Sequence, residues 1–390
     1  MGSEMCIRDR QITWLGLNVH ADIDRDIKER LSRLVSDSFS KRRAVRLNLN
    51  HEPGAGGTTL SRRISWDFHT RYPCVILRQS VQPYETVGRL SFICSETEQA
   101  VLVLVDAGVI GEDESNALFE LLRAEHLPVV LLQIRRIQEK PNVTKSSVYL
   151  PSALSQYERE RFIHAASVWK PEKVKLLKHY ADTEDERQHT PFFLGLVCFE
   201  REFAGLDRYV DAKLANISEV EKSVVIFTSI AHYYGQRTVD ADAFRTELGL
   251  PPNKPVYFES VLSGTMLELL VDEGERKWRT RHPLIAERCL EYILGDEGVS
   301  WKYRLSEWTK RFIGFCRGTS PVYSDSGLEL VFQTIISRET SSDIESENKG
   351  ARTVVSRLLD DIASRESRLQ VLNYLVEVYP DEAHFWAHLG

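Results

Sequence analysis

A glycine-rich segment at residues 51–60, His-Glu-Pro-Gly-Ala-Gly-Gly-Thr-Thr-Leu, contains the residue types with the clearest chemistry in this chain. Its glycines allow the backbone to curl so that several N–H groups point inward. Its two threonines add hydroxyls at the start of a helical pattern, where the positive end of the helix dipole favours an anion. The segment therefore predicts a phosphate-binding loop, with a glycine-rich turn without a ligand as the alternative. The predicted binding residues are Pro53, Gly54, Ala55, Gly56, Gly57, Thr58 and Thr59.

This loop matches the pattern G-x-x-x-x-G-K-[ST] only in part. Gly56 and Thr58 match, but His51 stands at the first glycine and Gly57 stands at the lysine. Because transfer of a γ-phosphate requires a nearby cation, another basic residue has to replace the lysine. The candidates are Arg135, Arg62 and Lys41. The basic run at 41–43 is also consistent with a solvated surface.

A carboxylate is expected at the other side of the phosphates. Five consecutive apolar residues end at Asp106, which is typical of a strand buried on both faces with a charged C-terminal end. A Mg²⁺ site is therefore predicted at Thr58, or Thr59 in its place, together with Asp106. For Asp106, a helix-capping role is the alternative. Ala107 occupies a position where many P-loop ATPases have a glutamate, and Glu112 or Asp113 could take over its role. Without the usual lysine and base, hydrolysis is expected to be slow or absent.

The elements around these residues predict a parallel sheet. Strand patterns at 44–49, 74–77, 99–106, 128–134 and 147–150 alternate with helical patterns at 58–70, 86–93 and 112–125. Ligands of such sheets collect beyond the carboxyl ends of the strands. The glycine loop, Asp106 and Arg135 all fall at those ends. The first strand alternates between apolar and polar residues, which is unusual for a central parallel strand.

The rest of the chain is predicted to be largely helical. An amphipathic helix is expected at 22–36, and helices follow at 155–168 and 191–203. Three helices, at 218–234, 239–248 and 260–271, precede a polar hairpin around 277–281 and a further helix at 282–294, which resembles a winged helix. Residues 300–390 are predicted to be helical throughout. The chain is predicted to contain these parts: 1–10, an artefact; 11–40, an N-terminal helix; 41–151, a P-loop core; 152–217, a helical segment; 218–297, a winged-helix-like domain; and 298–390, a helical region that resembles the start of TPR-like repeats.

Composition narrows the class of protein. Of the 390 residues, 42% are hydrophobic and 27% are charged, and the longest apolar runs are too short to cross a bilayer, so no membrane association is expected. The net charge of −7 argues against broad nucleic-acid binding. The six cysteines are scattered without a C-x-x-C motif, which favours buried thiols in a reducing compartment, hence a cytoplasmic protein.

The loop sequence at 52–66 also resembles the divergent P-loop of the STAND NTPases related to the sterile-alpha-motif-containing antiviral factors, the SAMD9-like family. That family reads Pro-Gly-x-Gly-Gly-Thr-Thr-Leu without the lysine. The resemblance implies an α/β P-loop NTPase parallel sheet of about five strands, followed by a winged-helix-like domain and α-helical repeats. It implies that Arg135 is a sensor arginine for the γ-phosphate. It also implies that His282 contacts the ADP β-phosphate, although a helix cap is an equally good reading of His282.

The sequence is therefore consistent with three functions. The first is a STAND-type switch in defence or stress signalling that binds ATP/ADP and Mg²⁺. It is expected to self-oligomerise on activation and to contact a protein partner or effector through its helical C-terminal region. The second is a degenerate, nucleotide-free P-loop scaffold that binds a partner through that region. The third is a nucleic-acid-binding module that uses the basic residues at 276–281, although a charged hairpin is usually a solvated surface. The residues do not distinguish ATP from GTP, and the family resemblance favours ATP.

Overall fold

The computed structural model describes residues 12–52, 54–77, 82–106, 110, 112–137, 144–200, 203–251, 254–296, 298–318, 324–339, 353–355 and 357–389. The chain divides into two compact units, Met1–Glu202 and Phe203–Gly390. In the described part, no helix is long and apolar enough to span a membrane.

The first unit is built on a five-stranded sheet in which every neighbouring pair of strands is parallel. The strands are β1 (Val45–His51), β2 (Cys74–Leu77), β3 (Val101–Asp106), β4 (Val129–Arg136) and β5 (Ser147–Leu150), in the order β2-β3-β4-β1-β5. The predicted parallel sheet of about five strands is confirmed. Because β1 lies between β4 and β5, the segment that follows β1 leaves from an interior strand of the sheet.

Helices cover both faces of this sheet. They are α1 (Trp14–Asn18), α2 (Lys28–Phe39), α3 (Gly57–Phe68), α4 (Pro83–Thr97) and α5 (Glu112–Ala124). One hydrophobic core joins α2 and α3 to alternate residues of the sheet, such as Leu47, Leu49 and Leu132. A second core joins α4 and α5 to the residues between them, such as Val103 and Leu131. This two-sided cover explains the apolar runs of β3 and β4.

The alternation in β1 has a structural reason. Leu47 and Leu49 enter the core beneath α3, whereas Arg46 on the opposite face hydrogen-bonds Asn116 of α5 at 2.6 Å and stacks on the Phe119 ring, 4.2 Å from its centroid. The opposite face of β1 is therefore in contact with polar groups and is not an apolar core surface.

The expected helix at 22–36 begins later, at Lys28. Asp22 and Arg25 are not in a helix. The Asp22 side chain binds α3, and the Arg25 side chain binds the glycine loop, the segment after β5 and Glu158. The first unit ends with α6 (Gln156–Trp169), α7 (Val174–Ala181) and α8 (Pro191–Phe199), together with two short 3₁₀ turns.

The second unit is mainly helical. Its helices are α9 (Leu206–Leu214), α10 (Glu219–Gly235), α11 (Phe258–Val261), α12 (Gly264–Leu267), α13 (Pro283–Leu294), α14 (Lys302–Gly318), α15 (Ser324–Ile335), α16 (Arg357–Asp361), α17 (Arg365–Val378) and α18 (Ala383–Leu389). A three-stranded antiparallel sheet, in the order β6-β8-β7, consists of β6 (Val239–Asp240), β7 (Leu270–Asp272) and β8 (Lys277–Thr280). The hairpin predicted around 277–281 is thus present.

Three helical predictions in this unit are wrong. The segment 239–248 forms β6 and a 3₁₀ turn, Ala241–Arg245, because the Asp240 side chain caps the turn by accepting the Asp242 N–H at 2.9 Å. The segment 260–271 breaks into short helices and β7. Residues 300–390 are not helical throughout either, since β9 (Ser337–Glu339) pairs with β10 (Thr353–Val355).

The cysteines are free thiols where they are described. Cys94, Cys198, Cys289 and Cys316 are buried, and Cys74 is half-buried. Burial raises the pKa of Cys289 to about 12. The expectation of buried thiols is confirmed for the four buried cysteines but only in part for Cys74, and Cys6 lies outside the described residues.

Candidate functional site: the glycine loop at the carboxyl edge of the sheet

The glycine loop connects β1 to the N-terminus of α3. Gly54 and Gly56 have φ values of 75° and 87°, the left-handed region in which a side chain is strained. The Ala55 N–H donates to the Glu52 carbonyl at 3.1 Å, and the Leu60 N–H donates to the Gly56 carbonyl at 2.9 Å, which is the first hydrogen bond of α3. Loop glycines therefore permit the sharp curl that the sequence predicted, at the end of a helix that favours anions.

The other predicted site residues of the first unit lie at the same edge. Arg135 pairs in register with Asn50, and Asp106 pairs with Ile134. Three neighbouring strands thus end together beside the loop. Arg135 is half-buried and Thr58 and Thr59 are half-buried at the start of α3. The side chain of Asp106, the whole of Pro53 and Ala107, and the side chains of Glu112 and Asp113 lie outside the described residues, so their roles stay predictions.

The two departures from the lysine-containing pattern lie against each other. A Cβ atom added at Gly57 would stand 2.2 Å from Cδ2 of His51 and 2.5 Å from its Cγ. His51 is only 4% exposed, and its Nδ1 lies 2.8 Å from the Glu52 carbonyl oxygen, which indicates that the ring donates its Nδ1–H. The imidazole therefore occupies the volume into which a lysine at position 57 would project.

Two of the proposed replacement cations are directed elsewhere. Arg62 donates to the Ile12 carbonyl at 2.8 Å and lies over the Trp14 ring, on the side of α3 that faces α1. Lys41 is exposed and precedes β1, so that it lies at the amino end of a strand whose carboxyl end leads into the loop. A seven-residue strand separates these ends by roughly 23 Å. Of the three candidates, only Arg135 is placed at the edge of the loop.

A cavity of about 150 Å³ opens beside the loop. One wall is the loop and the first turn of α3, at Ala55, Gly56 and Thr59. A second wall is the segment 21–25, which lies between α1 and α2. The third wall is apolar and consists of Leu154, Phe162 and Pro191. The arrangement places a cavity with one apolar wall and charged residues on another directly next to a predicted phosphate site.

Glu52 anchors the start of the loop to the end of β5. Its carboxylate accepts the Ser152 N–H at 2.9 Å and also the Ser152 and Tyr149 hydroxyls. Burial by itself would raise the pKa of Glu52, but these hydrogen bonds outweigh it and lower the pKa from its ordinary value of 4.5. The ionised carboxylate therefore stabilises the fold.

We expect Glu52→Gln to lower the free energy of unfolding by about 1–2 kcal/mol at pH 7, because an amide loses acceptors for these donors. A lowered pKa contributes stability that is complete above the unfolded-state pKa and is lost as the pH falls through the folded-state pKa. The difference from the unmodified protein should hence shrink as the pH falls below 4.5 and be lost once the pH is below the folded-state pKa, which is lower than 4.5. Urea unfolding across this range measures it. The exposed Glu120→Gln serves as the control, and a difference that persists unchanged in acid contradicts the prediction.

His282 lies in the second unit, where it is the N-cap of α13. Its Nδ1 accepts the Leu284 N–H at 3.2 Å, its carbonyl accepts the Thr280 hydroxyl at 3.3 Å, and it is 6% exposed. These contacts show that His282 caps α13, which is one of the two interpretations that its sequence position allowed. A contact between His282 and a phosphate stays a prediction.

Sequence reasoning missed several residues that shape this site. Arg25, Asp22 and Glu158 bind across more than 30 positions of the chain, and no local pattern reveals such partners. The exception is the Ser155-x-x-Glu158 spacing, which is a readable capping-box signal at the start of α6.

Comparison with known proteins supports the resemblance that the loop suggested. The chain is 27% identical over 308 residues to the mouse (Mus musculus) sterile alpha motif domain-containing protein 9-like, covering 70% of this chain and 19% of that protein. Identity to its human (Homo sapiens) counterpart is 22% over 308 residues, with 70% and 18% covered. The chain thus spans about a fifth of the length of the curated relatives that it matches. No protein-family model matches the chain.

Among solved structures, one similar to this chain is a Signal Transduction ATPase with Numerous Domains (STAND) protein with a tetratricopeptide repeat sensor from Pyrococcus horikoshii. It is 12% identical, and the match covers 98% of this chain and 54% of that one at a TM-score of 0.38. A score this low supports no inference about this chain. The sequence comparisons confirm the predicted resemblance, and over 70% of its length the chain is similar to one stretch of the sterile alpha motif domain-containing 9-like proteins.

Proposed function

We propose that this chain binds ATP or ADP with Mg²⁺ and acts as a nucleotide-dependent switch of the STAND type. The observation that carries the proposal is the loop with left-handed Gly54 and Gly56, placed between a central parallel strand and the N-terminus of α3. Backbone N–H groups curled in this way bind phosphate oxygens. Asp106 and Arg135 fall at the same edge of the sheet, which supports a metal-side carboxylate and a γ-phosphate sensor there.

The cavity beside the loop supports a base site. Its apolar wall, formed by Leu154, Phe162 and Pro191, is suited to the face of a purine. Since the cavity touches both Gly56 and Thr59, a base in it would leave its phosphates at the loop. The choice of ATP over GTP rests on the resemblance of the loop to that of the STAND NTPases.

Thr58, or Thr59 in its place, would bind Mg²⁺ together with Asp106, and both are oxygen donors of the kind that this ion prefers. When bound, Mg²⁺ neutralises charge on the phosphates. The protein contributes backbone donors from the loop, and Arg135 is the proposed cation at the γ-phosphate. Hydrolysis is expected to be slow, because no lysine is present at position 57 and position 107 is alanine.

A slow hydrolase that senses its nucleotide is suited to signalling. The proposal therefore includes self-oligomerisation on activation, a protein partner or effector that binds the helical C-terminal region, a winged-helix-like domain at 218–297, and a role in cytoplasmic defence or stress signalling. His282 is proposed to contact the β-phosphate in one of the two states.

Titration calorimetry with ATP, in the presence and absence of Mg²⁺, tests the proposal. Saturable binding that is strengthened by Mg²⁺ is the expected result. An absence of binding at millimolar ATP ends the proposal. A dissociation constant weaker than millimolar means that binding contributes less than about 4 kcal/mol of free energy.

A nucleotide-free scaffold is the second candidate, and one observation favours it. The His51 ring fills the volume at Gly57 that a P-loop lysine would need, so the loop lacks a cation at its usual position. A protein that purifies without nucleotide and shows no thermal shift on addition of ATP would favour this function.

A further inference from the structure

One buried arginine, Arg25, contacts the glycine loop from the segment before α2. It is 7% exposed. Its Nε donates to Oε1 of Glu158 at 2.8 Å, its Nη2 donates to the Pro151 carbonyl at 2.9 Å, and its Nη1 donates to the Ala55 carbonyl. Each nitrogen of the guanidinium thus binds an acceptor from a different stretch of the chain: α6, the segment after β5, and the loop.

The partner carboxylate of Arg25 is itself fixed. Oε1 of Glu158 also accepts the Asp26 N–H at 2.7 Å, and its Oε2 accepts the Ser155 N–H at 2.9 Å. The Glu158 N–H in turn donates to the Ser155 hydroxyl at 3.2 Å, which completes the capping box of α6. Because rotation of the carboxylate would break several hydrogen bonds, Glu158 holds the guanidinium in one orientation.

This orientation determines the direction of a peptide group in the loop. In a trans peptide the C=O and the following N–H lie in one plane and point in opposite directions. The Ala55 carbonyl points at Arg25, so the N–H of Gly56 points away from it. Gly56 has the left-handed φ of 87°, and space is open beside its Cα. An N–H in such a curl is a donor to phosphate oxygens.

We propose that Arg25, held by Glu158, is a positioning residue that orients the Gly56 N–H toward the phosphates beyond the α-phosphate of a bound nucleotide, and so couples occupancy of the loop to α6. This inference rests on the proposed nucleotide binding. The three acceptors require a planar fork of donors, and a lysine ammonium cannot reproduce that geometry.

The test measures displacement of a fluorescent ATP analogue by ATP, ADP and AMP from the full chain and from Arg25→Gln and Arg25→Lys. Both variants should bind ATP and ADP at least about tenfold more weakly, whereas AMP, which lacks the outer phosphates, should change less than about threefold. If the variants fold and bind ATP, ADP and AMP more weakly to the same extent, the inference is overturned, because Arg25 then does not act on the outer phosphates. Unchanged ATP affinity overturns it as well.

Arg161→Gln is the matched control. Arg161 also ties α6 to the segment before α2, through Asp26 and the Asp24 carbonyl, and it is 41% exposed. The Arg161→Gln variant should bind ATP, ADP and AMP with affinities within about threefold of those of the unmodified protein. If the Arg25 variants do not fold, Glu158→Gln decides the question by the same comparison. If the unmodified protein binds none of the three nucleotides, the proposed function itself fails, and this is seen before any variant is measured.

Discussion

Gly57→Lys, which restores the lysine of the common P-loop pattern, is expected to destabilise the protein and to leave ATP affinity no higher. The new Cβ would stand 2.2 Å from the buried His51 ring, and the atoms it meets include Cγ, which cannot swing away as the end of a long side chain can. Forcing atoms into a packed site costs about 1–3 kcal/mol, and sometimes more. Urea unfolding measures the cost, and calorimetry with ATP measures the affinity.

Gly88→Ala is the matched control for this substitution. Gly88 lies within α4, and a Cβ there meets no atom within 4 Å. Alanine should therefore raise the free energy of unfolding by up to about 1 kcal/mol. His51→Gly combined with Gly57→Lys removes the ring and should recover part of the stability that Gly57→Lys alone loses. An increase in ATP affinity with unchanged stability for Gly57→Lys would contradict the steric account.

Asp22→Asn should have the largest effect on stability. The Asp22 and Arg63 side chains are 4% and 3% exposed, and Arg63 Nε donates to Asp22 Oδ2 at 2.7 Å. Arg63 also donates to the Leu17 carbonyl at 2.8 Å, so the pair fastens the segment after α1 to α3. Removing one charge leaves a buried guanidinium without its partner, which costs about 3–5 kcal/mol. Asp67, at 3.5 Å from Arg63, offsets a part of this cost.

Urea unfolding of Asp22→Asn measures this loss. The control is Glu85→Gln, which breaks the exposed pair of Glu85 with Arg89 on α4. With side chains 57% and 75% exposed, that pair should contribute no more than about 1 kcal/mol. If Asp22→Asn lowers the free energy of unfolding by less than Glu85→Gln does, the buried pair does not hold the N-terminal segment.

The sheet was predictable because its signals are local. A strand buried on both faces has to be apolar, and five apolar residues before Asp106 show this directly. The glycines of the loop and the hydroxyls after them also lie within ten residues of one another. Their order along the chain was therefore enough to place Asp106 and Arg135 at the same edge as the loop, which the register confirms.

The helices of the second unit were less predictable. Apolar residues at 260–271 fit a helical period, yet the chain there forms two short helices and a strand, since Leu270 pairs with Thr280 in a hairpin. Strand pairing depends on a partner elsewhere in the chain, and periodicity within one segment does not report it.

By itself, the sequence determined the class of the fold, the position of the glycine loop and the resemblance to the sterile alpha motif domain-containing 9-like proteins, because each depends on neighbouring residues. Only the tertiary structure showed that His51 and Gly57 are one steric unit and that Arg25 and Asp22 hold the loop and α3. The physical reason is distance along the chain: a ring against a glycine, or a guanidinium against a carbonyl 30 residues away, exists only after folding brings the two together.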